Sequence, residues 1–114
     1  VGDGVIEAAK EDGKWAIGVD KDQNSLAPDN VLTSAMKRVD NAIFNIAKDY
    51  LAGKWQGGSV ISYGLKEGGV GIAPTSSKHV PADILKEVKE LEKQIIAGKI
   101  IVPNNEKTYN EFVK

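Results

Sequence analysis

Residues 15 to 20, Trp-Ala-Ile-Gly-Val-Asp, are a short apolar run that ends on a carboxylate, Asp20, and a polar loop follows directly. In open parallel α/β sheets, ligands bind outside the carboxyl ends of the strands, so an acid at a strand tip faces that crevice. Ionised, it can only accept hydrogen bonds, which suits a ligand carrying paired hydroxyls. An aspartate there could equally cap its own loop or pair with a neighbouring lysine. Position alone does not separate these readings.

Three further groups could do chemistry. Gly2-Asp3-Gly4 ahead of a helix could present backbone amides to an anion or polar ligand, or be a plain turn. Lys37 and Arg38 read as lying two turns into a helix, where they either project a cation towards the same crevice or stay on a solvated face. His79 is the sole histidine and cysteine is absent, so a zinc site would rest on carboxylates alone. No nucleophile with a base and an orienting group can be written without His79 or a lysine. No Gly-Lys-Ser/Thr triplet forms a phosphate loop. The expectation is a protein with no metal, no cofactor and no catalytic centre.

Composition narrows the partners. Of 114 residues, 41% are hydrophobic and 27% charged, as in an ordinary globular domain. The 15 basic and 16 acidic side chains are spread along the chain, net charge −1, so no basic face invites nucleic acid. No apolar run approaches the roughly 20 residues of a membrane-spanning helix, and no stretch reads as a signal peptide. The chain opens on Val1 inside a glycine turn, which reads as part of something longer; an engineered or processed terminus is the alternative.

The elements that must position these groups follow from periodicity. Residues 2 to 12 read as a turn and short helix ended by Gly13, with Val5, Ile6, Ala8 and Ala9 as its apolar side. Residues 15 to 20 read as a buried strand, so helix and strand make half of a parallel-sheet unit. Asn30 to Ala52 reads as one long helix capped by Asp29 or Asn30, because apolar residues recur at spacings of three and four from Val31 to Leu51. Phe44 lies off that stripe and suits a contact with another lobe. Trp15 and Trp55 read as core or boundary residues. Ser59 to Gly64 reads as a strand, Gly68-Gly69 as a turn with Lys66-Glu67 exposed beside it, and Val70 to Ala73 as a second strand, followed by a loop from Pro74 to Lys78. A third helix starts at Pro81 and ends at Gly98, burying Ile84, Leu85, Val88, Leu91, Ile95 and Ile96. Ile100 to Pro103 reads as a strand, and Thr108 with Glu111 fits a capping box in the tail.

"AIGVDKDQNSLAPDNVLTSAMKRVDNAIF", residues 16 to 44, closely resembles the basic membrane protein family of solute-binding lipoproteins. "YGLKEGGVGIAP" (63 to 74), "VPADILKEVKELEKQIIAGKIIVP" (80 to 103) and "GDGVIEAAKE" continue the resemblance in order. It implies an α/β fold, the C-terminal portion of a type I periplasmic-binding-protein fold: mainly the second lobe with hinge segments, the N-terminal lobe lying outside this chain. It implies the substrate-binding component of an ABC importer, extracytoplasmic and lipid-anchored, binding a purine nucleoside between two lobes without catalysis. Its implied partners are a nucleoside, an ABC permease and the other lobe. A sensor or regulator keeping the same fold is the alternative, and an α/β enzyme using Asp20 as base a weaker one. Residue by residue, the aspartate of the G-V-D-x-D-Q motif matches Asp20 and would accept hydrogen bonds from ribose hydroxyls. Gly2 of the glycine turn would lie against base or sugar, and Lys37 would serve the ligand or the hinge. Asp22 and Gln23 would organise the loop, while Asp3 stands where many relatives have Thr. The resemblance also implies that the loop after Asp20 crosses towards the other lobe, whose sheet would cover the long apolar stripe. Left uncovered, that apolar surface of the second helix is expected to make the isolated chain self-associate.

Overall fold

Val5, Ile6, Ala8 and Ala9 recur at helical spacing and form helix α1, Gly2–Glu11, with Ile6 buried. Gly13 stops it at φ 61°, a left-handed value most readily taken by glycine. Its N–H donates to the Lys10 carbonyl and that of Lys14 to the Ala9 carbonyl (3.2 and 2.7 Å), turning the chain into strand β1, Ala16–Asp20. These coordinates are a computed structural model and describe residues 2–55 and 57–113. The chain divides into two compact units, Val1–Pro81 and Ala82–Lys114.

The first unit holds a three-stranded sheet in the order β1-β2-β3, with β2 spanning Val31–Lys37 and β3 Val70–Ile72. β1 and β2 are parallel, β2 and β3 antiparallel. The register of the parallel pair slips between Ala16 and Ile17, so Leu32 is passed over, and Asp20 lies opposite Met36. A mixed α/β architecture with a parallel pair agrees with expectation, but its central strand does not. Val31 to Lys37 was expected to open a long helix; it is the middle strand, and helix α2 begins only at Val39, ending at Leu51.

The physical reason lies in partners distant in sequence. Asn30 is no helix cap: its side-chain amide donates to the Lys14 carbonyl at 3.0 Å, and its own carbonyl accepts from Ala16 N–H at 2.8 Å. From there the β-branched Val31 and Thr33 pair with Ala16 and Ile17 of β1, and Ala35 to Lys37 are flanked on the other side by β3. The loop between β1 and β2 therefore returns to the same sheet, by a 3₁₀ turn at Asn24–Leu26, instead of leaving for another lobe. The long stripe that seemed to need a foreign sheet is divided between β2, inside this one, and the shorter α2, none of whose residues is buried.

The core beneath α1 is small: Ile6, Ala16, Ala27 and Val31, with Ala9 packed alongside. β1 was expected to be a buried strand, yet Ile17 and Val19 remain 61% and 57% exposed. Only the Ala16–Gly18 face is covered among the described residues. Ser59 to Gly64 forms no strand, so there is no hairpin; β3 pairs with β2 instead, and Gly64 to Gly69 is a turn held by Gly69 N–H to the Gly64 carbonyl at 2.8 Å. Glu67 supports this turn by accepting from Gly64 N–H at 2.9 Å. Pro74–Lys78 is a 3₁₀ helix where a loop was expected. Trp15 and Trp55 are exposed, Trp15 tilted against the His79 ring at 5.0 Å. Phe44 is exposed on α2.

The second unit contains α3, Ala82–Ile96, and α4, Glu106–Phe112. The apolar stripe of α3 is present, but Ile84, Leu91 and Ile96 are exposed and no residue of the helix is buried. Ile100 to Pro103 is not a strand. α4 does carry a capping box, one helical turn earlier than expected: Asn105 accepts from Thr108 N–H at 3.0 Å, and Thr108 Oγ1 accepts from Asn105 N–H at 3.2 Å.

Candidate functional site

The sheet brings the expected site positions to one end of the first unit. Asp20 closes β1, and Lys37 closes β2, one residue beyond the Met36 that faces Asp20. Lys37 is thus at the carboxyl end of a strand instead of inside a helix. Gly2 begins α1, whose next residue, Asp3, accepts from Gln23 Nε2 at 3.2 Å. Gln23 in turn accepts from Val19 N–H at 2.9 Å, immediately before Asp20.

Asp20 has an unusual backbone. It is the sole non-glycine residue at positive φ (71°) among the described residues. Lys21 N–H donates to the Val19 carbonyl at 2.9 Å, which makes Asp20 the centre of a γ-turn of the rare left-handed kind. Such conformations persist where the surroundings over-determine them and cluster at ligand sites. The Asp20 carboxylate is exposed and has no hydrogen bond or ion pair among the described residues. Loop capping, one of the two alternatives for Asp20, falls to Asp22: its carboxylate accepts from Asn24 N–H at 3.1 Å and from Thr75 Oγ1 at 2.8 Å. Lys78 Nζ reaches Asn24 Oδ1 at 2.7 Å, so the loop is fastened to the 3₁₀ helix that follows β3. Asp22 and Gln23 organise the loop, as expected.

Burial alone would raise the Asp22 pKa, but hydrogen bonds from Asn24 and Thr75 and the nearby Lys78 charge together hold it below its ordinary value of 3.8. A carboxyl whose pKa falls on folding contributes fully above the unfolded value, and that contribution is lost as pH drops through the folded one. Thermal stability should therefore decline below about pH 4, and Asp22→Asn should flatten that decline when melting is followed from pH 5 to 2. It should not abolish it, since the Arg38 hydrogen bond draws Asp40 down to about 2.

Asn24 and Gln23 are both buried, as are Ser34 and Ser76. Ser76 gives its proton to the Ala73 carbonyl at 2.6 Å, so Thr33 Oγ1 is the donor in the 2.6 Å contact with Ser76 Oγ. His79 Nε2 lies 2.6 Å from the Pro28 carbonyl and must be its donor. Among the described residues no group of three acidic, histidine or cysteine side chains could hold a metal, and no helix is long and apolar enough to cross a membrane. Sequence reasoning missed the connection of Gln23 to Ser34 and Asp3. Its one local signal was Gly18 preceding a polar loop.

A family model described as "ABC transporter substrate-binding protein PnrA-like" matches residues 1–106. The chain belongs to this family. The family is described as one of substrate-binding proteins. The chain is 43% identical to "Basic membrane protein A" of Borreliella afzelii, an alignment covering 99% of this chain and 35% of the relative. It is 44% identical to the protein of that name from Borreliella burgdorferi, covering 99% and 34%. It therefore spans about a third of the length of these relatives. Among solved structures it resembles an ABC transporter solute-binding protein from Aeropyrum pernix, with a TM-score of 0.71 and 27% identity over 96% of this chain and 40% of the other. It also resembles a transcriptional activator of the comK gene from Bacillus halodurans, with a TM-score of 0.78 and 29% identity over 89% and 35%.

Proposed function

We propose that this segment forms mainly the second lobe of a substrate-binding protein that encloses a purine nucleoside between two lobes and delivers it to an ABC permease. In this reading Asp20 accepts hydrogen bonds from the ribose hydroxyls, Gly2 lies against base or sugar, and Lys37 serves the ligand or the hinge. The other lobe supplies the base-reading residues. The whole protein is extracytoplasmic and lipid-anchored, and it makes and breaks no bonds. The observation that carries the reading is an exposed, unpartnered carboxylate held in a left-handed turn at the carboxyl end of a parallel strand, with Lys37 at the end of the next strand. Family membership supports the transport role; the class of ligand rests on the resemblance and on an acceptor at the strand end that suits paired hydroxyls.

Isothermal titration of inosine, guanosine and adenosine into the full-length protein carrying this segment tests it. Binding of at least one nucleoside in preference to sugars is the expected result; binding of sugars with no nucleoside would overturn the ligand assignment. A second reading, a transcription-linked sensor with the same fold, draws support from the resemblance to the comK activator. A lipidation motif upstream in the full gene product would decide for transport over regulation.

The segment by itself is expected to self-associate, because Ile17, Val19 and Ile72 leave one sheet face bare and Ile43, Phe44 and Leu51 do the same for α2. Light scattering should show mass rising with concentration, and Ile17→Thr with Val19→Thr, which keep β-branching, should reduce it.

A further inference from the structure

We propose that Gln23 is a positioning residue that holds Asp20 in its left-handed turn and couples that turn to the first residues of α1. The proposal deepens the reading of Asp20 as a ligand group and rests on it for its functional meaning. Its physical basis is separate. Gln23 is 9% exposed, and three bonds radiate from it. Its side-chain oxygen accepts from Val19 N–H at 2.9 Å, its backbone N–H donates to Ser34 Oγ on β2 at 3.1 Å, and its side-chain nitrogen donates to Asp3 on α1 at 3.2 Å.

These bonds explain why the chain reverses at residue 20. Gln23 sits directly over Gly18: a Cβ on Gly18 would come within 2.9 Å of Gln23 Cβ. The loop must therefore leave the strand and fold back over its own last turn within a few residues. Val19 is pinned on one side of Asp20 and Gln23 on the other, while Asp22 is held by Thr75. The left-handed conformation at Asp20 is what closes this short arc, and the Lys21 N–H bond to the Val19 carbonyl completes it. The same amide reaches Asp3, so the first turn of α1 and the backbone turn at the tip of β1 are tied together by one side chain.

A double-mutant cycle on the chain, with NMR, tests this. A residue at positive φ gives a strong intraresidue HN–Hα cross-peak, which Asp20 should show. Asp20→Gly removes the Cβ strain and should raise Tm by about 4 °C. Gln23→Met keeps the volume but removes the acceptor; Asp20 should lose its cross-peak, and Asp20→Gly should then bring little or no gain. An equal gain in both backgrounds, or a cross-peak unchanged in Gln23→Met, would overturn the proposal.

If Gln23→Met does not fold, Gln23→Glu carries the test. It retains an acceptor for Val19 N–H but loses the donor to Asp3, so Asp20 should keep its cross-peak while Tm falls. Adding Asp3→Asn supplies a donor from the other side and should restore Tm. Loss of the cross-peak, or no restoration, would overturn the proposal. In the full-length protein, nucleoside binding should weaken about tenfold in Gln23→Met, a loss on the scale of one disturbed hydrogen bond. If the unaltered full-length protein binds no nucleoside, the ligand reading falls while the conformational cycle still decides the role of Gln23.

Discussion

Gly18→Ala is expected to destabilise the first unit by about 3 kcal/mol, because it both overpacks the site and breaks a buried hydrogen bond. The added methyl would collide with Ser34 Oγ and press on Gln23 at 2.9 Å and 3.1 Å. Neither neighbour can yield cheaply. Ser34 is fully buried in the central strand, and Gln23 is bonded to three separate elements. Any relaxation must lift the loop off the sheet, which releases Val19 and the turn at Asp20 together. Gly4→Ala is the matched contrast, since a Cβ there meets nothing within 4 Å. It should stabilise α1 by up to about 1 kcal/mol, the usual glycine-to-alanine gain inside a helix. Urea denaturation followed by circular dichroism would give both values. Equal effects at the two positions would show that the close approach at Gly18 is not a constraint.

That glycine also marks where sequence reasoning stops. Elements defined by their own residues were legible: α1 with its glycine stop, the β1 run, and α3 from Pro81 to Gly98. Elements defined by a partner were not. Val31 to Lys37 has apolar residues at positions that satisfy a helix as well as a strand, and only pairing with β1 and β3, together with Asn30 bonding to Lys14, decides between them. The opposite error occurred at Ser59–Gly64 and Ile100–Pro103. Their β-rich composition reads as strand, but composition supplies no neighbour to pair with. The candidate site divides along the same line. Asp20 could be singled out because its position follows from the strand before it. Gln23 was given a loop role only through the resemblance, and its bonds to Asp3 and Ser34, one on either side of it in sequence, could not be read from the residues.

Of the proposed ligand residues, Asp20 has the largest expected effect on binding, and its variants should separate stability from function. In the full-length protein, Asp20→Ala should weaken nucleoside binding by about a hundredfold or more, the loss of two hydrogen bonds to a charged acceptor at about 1.5–3 kcal/mol each. Alanine also remains strained at positive φ, so this variant alone would confuse folding with binding. Asp20→Asn tolerates the left-handed conformation and keeps one acceptor oxygen, so it should retain stability and lose about tenfold in affinity. Asp20→Gly should bind as poorly as Asp20→Ala while melting higher than the unaltered protein, because it relieves the strain but lacks the carboxylate. Opposite movement of melting temperature and affinity is the signature of a conformation kept for its ligand. If affinity instead followed stability across the series, Asp20 would be a structural turn residue, and the ligand contact would have to be sought elsewhere on the rim formed by the ends of β1 and β2.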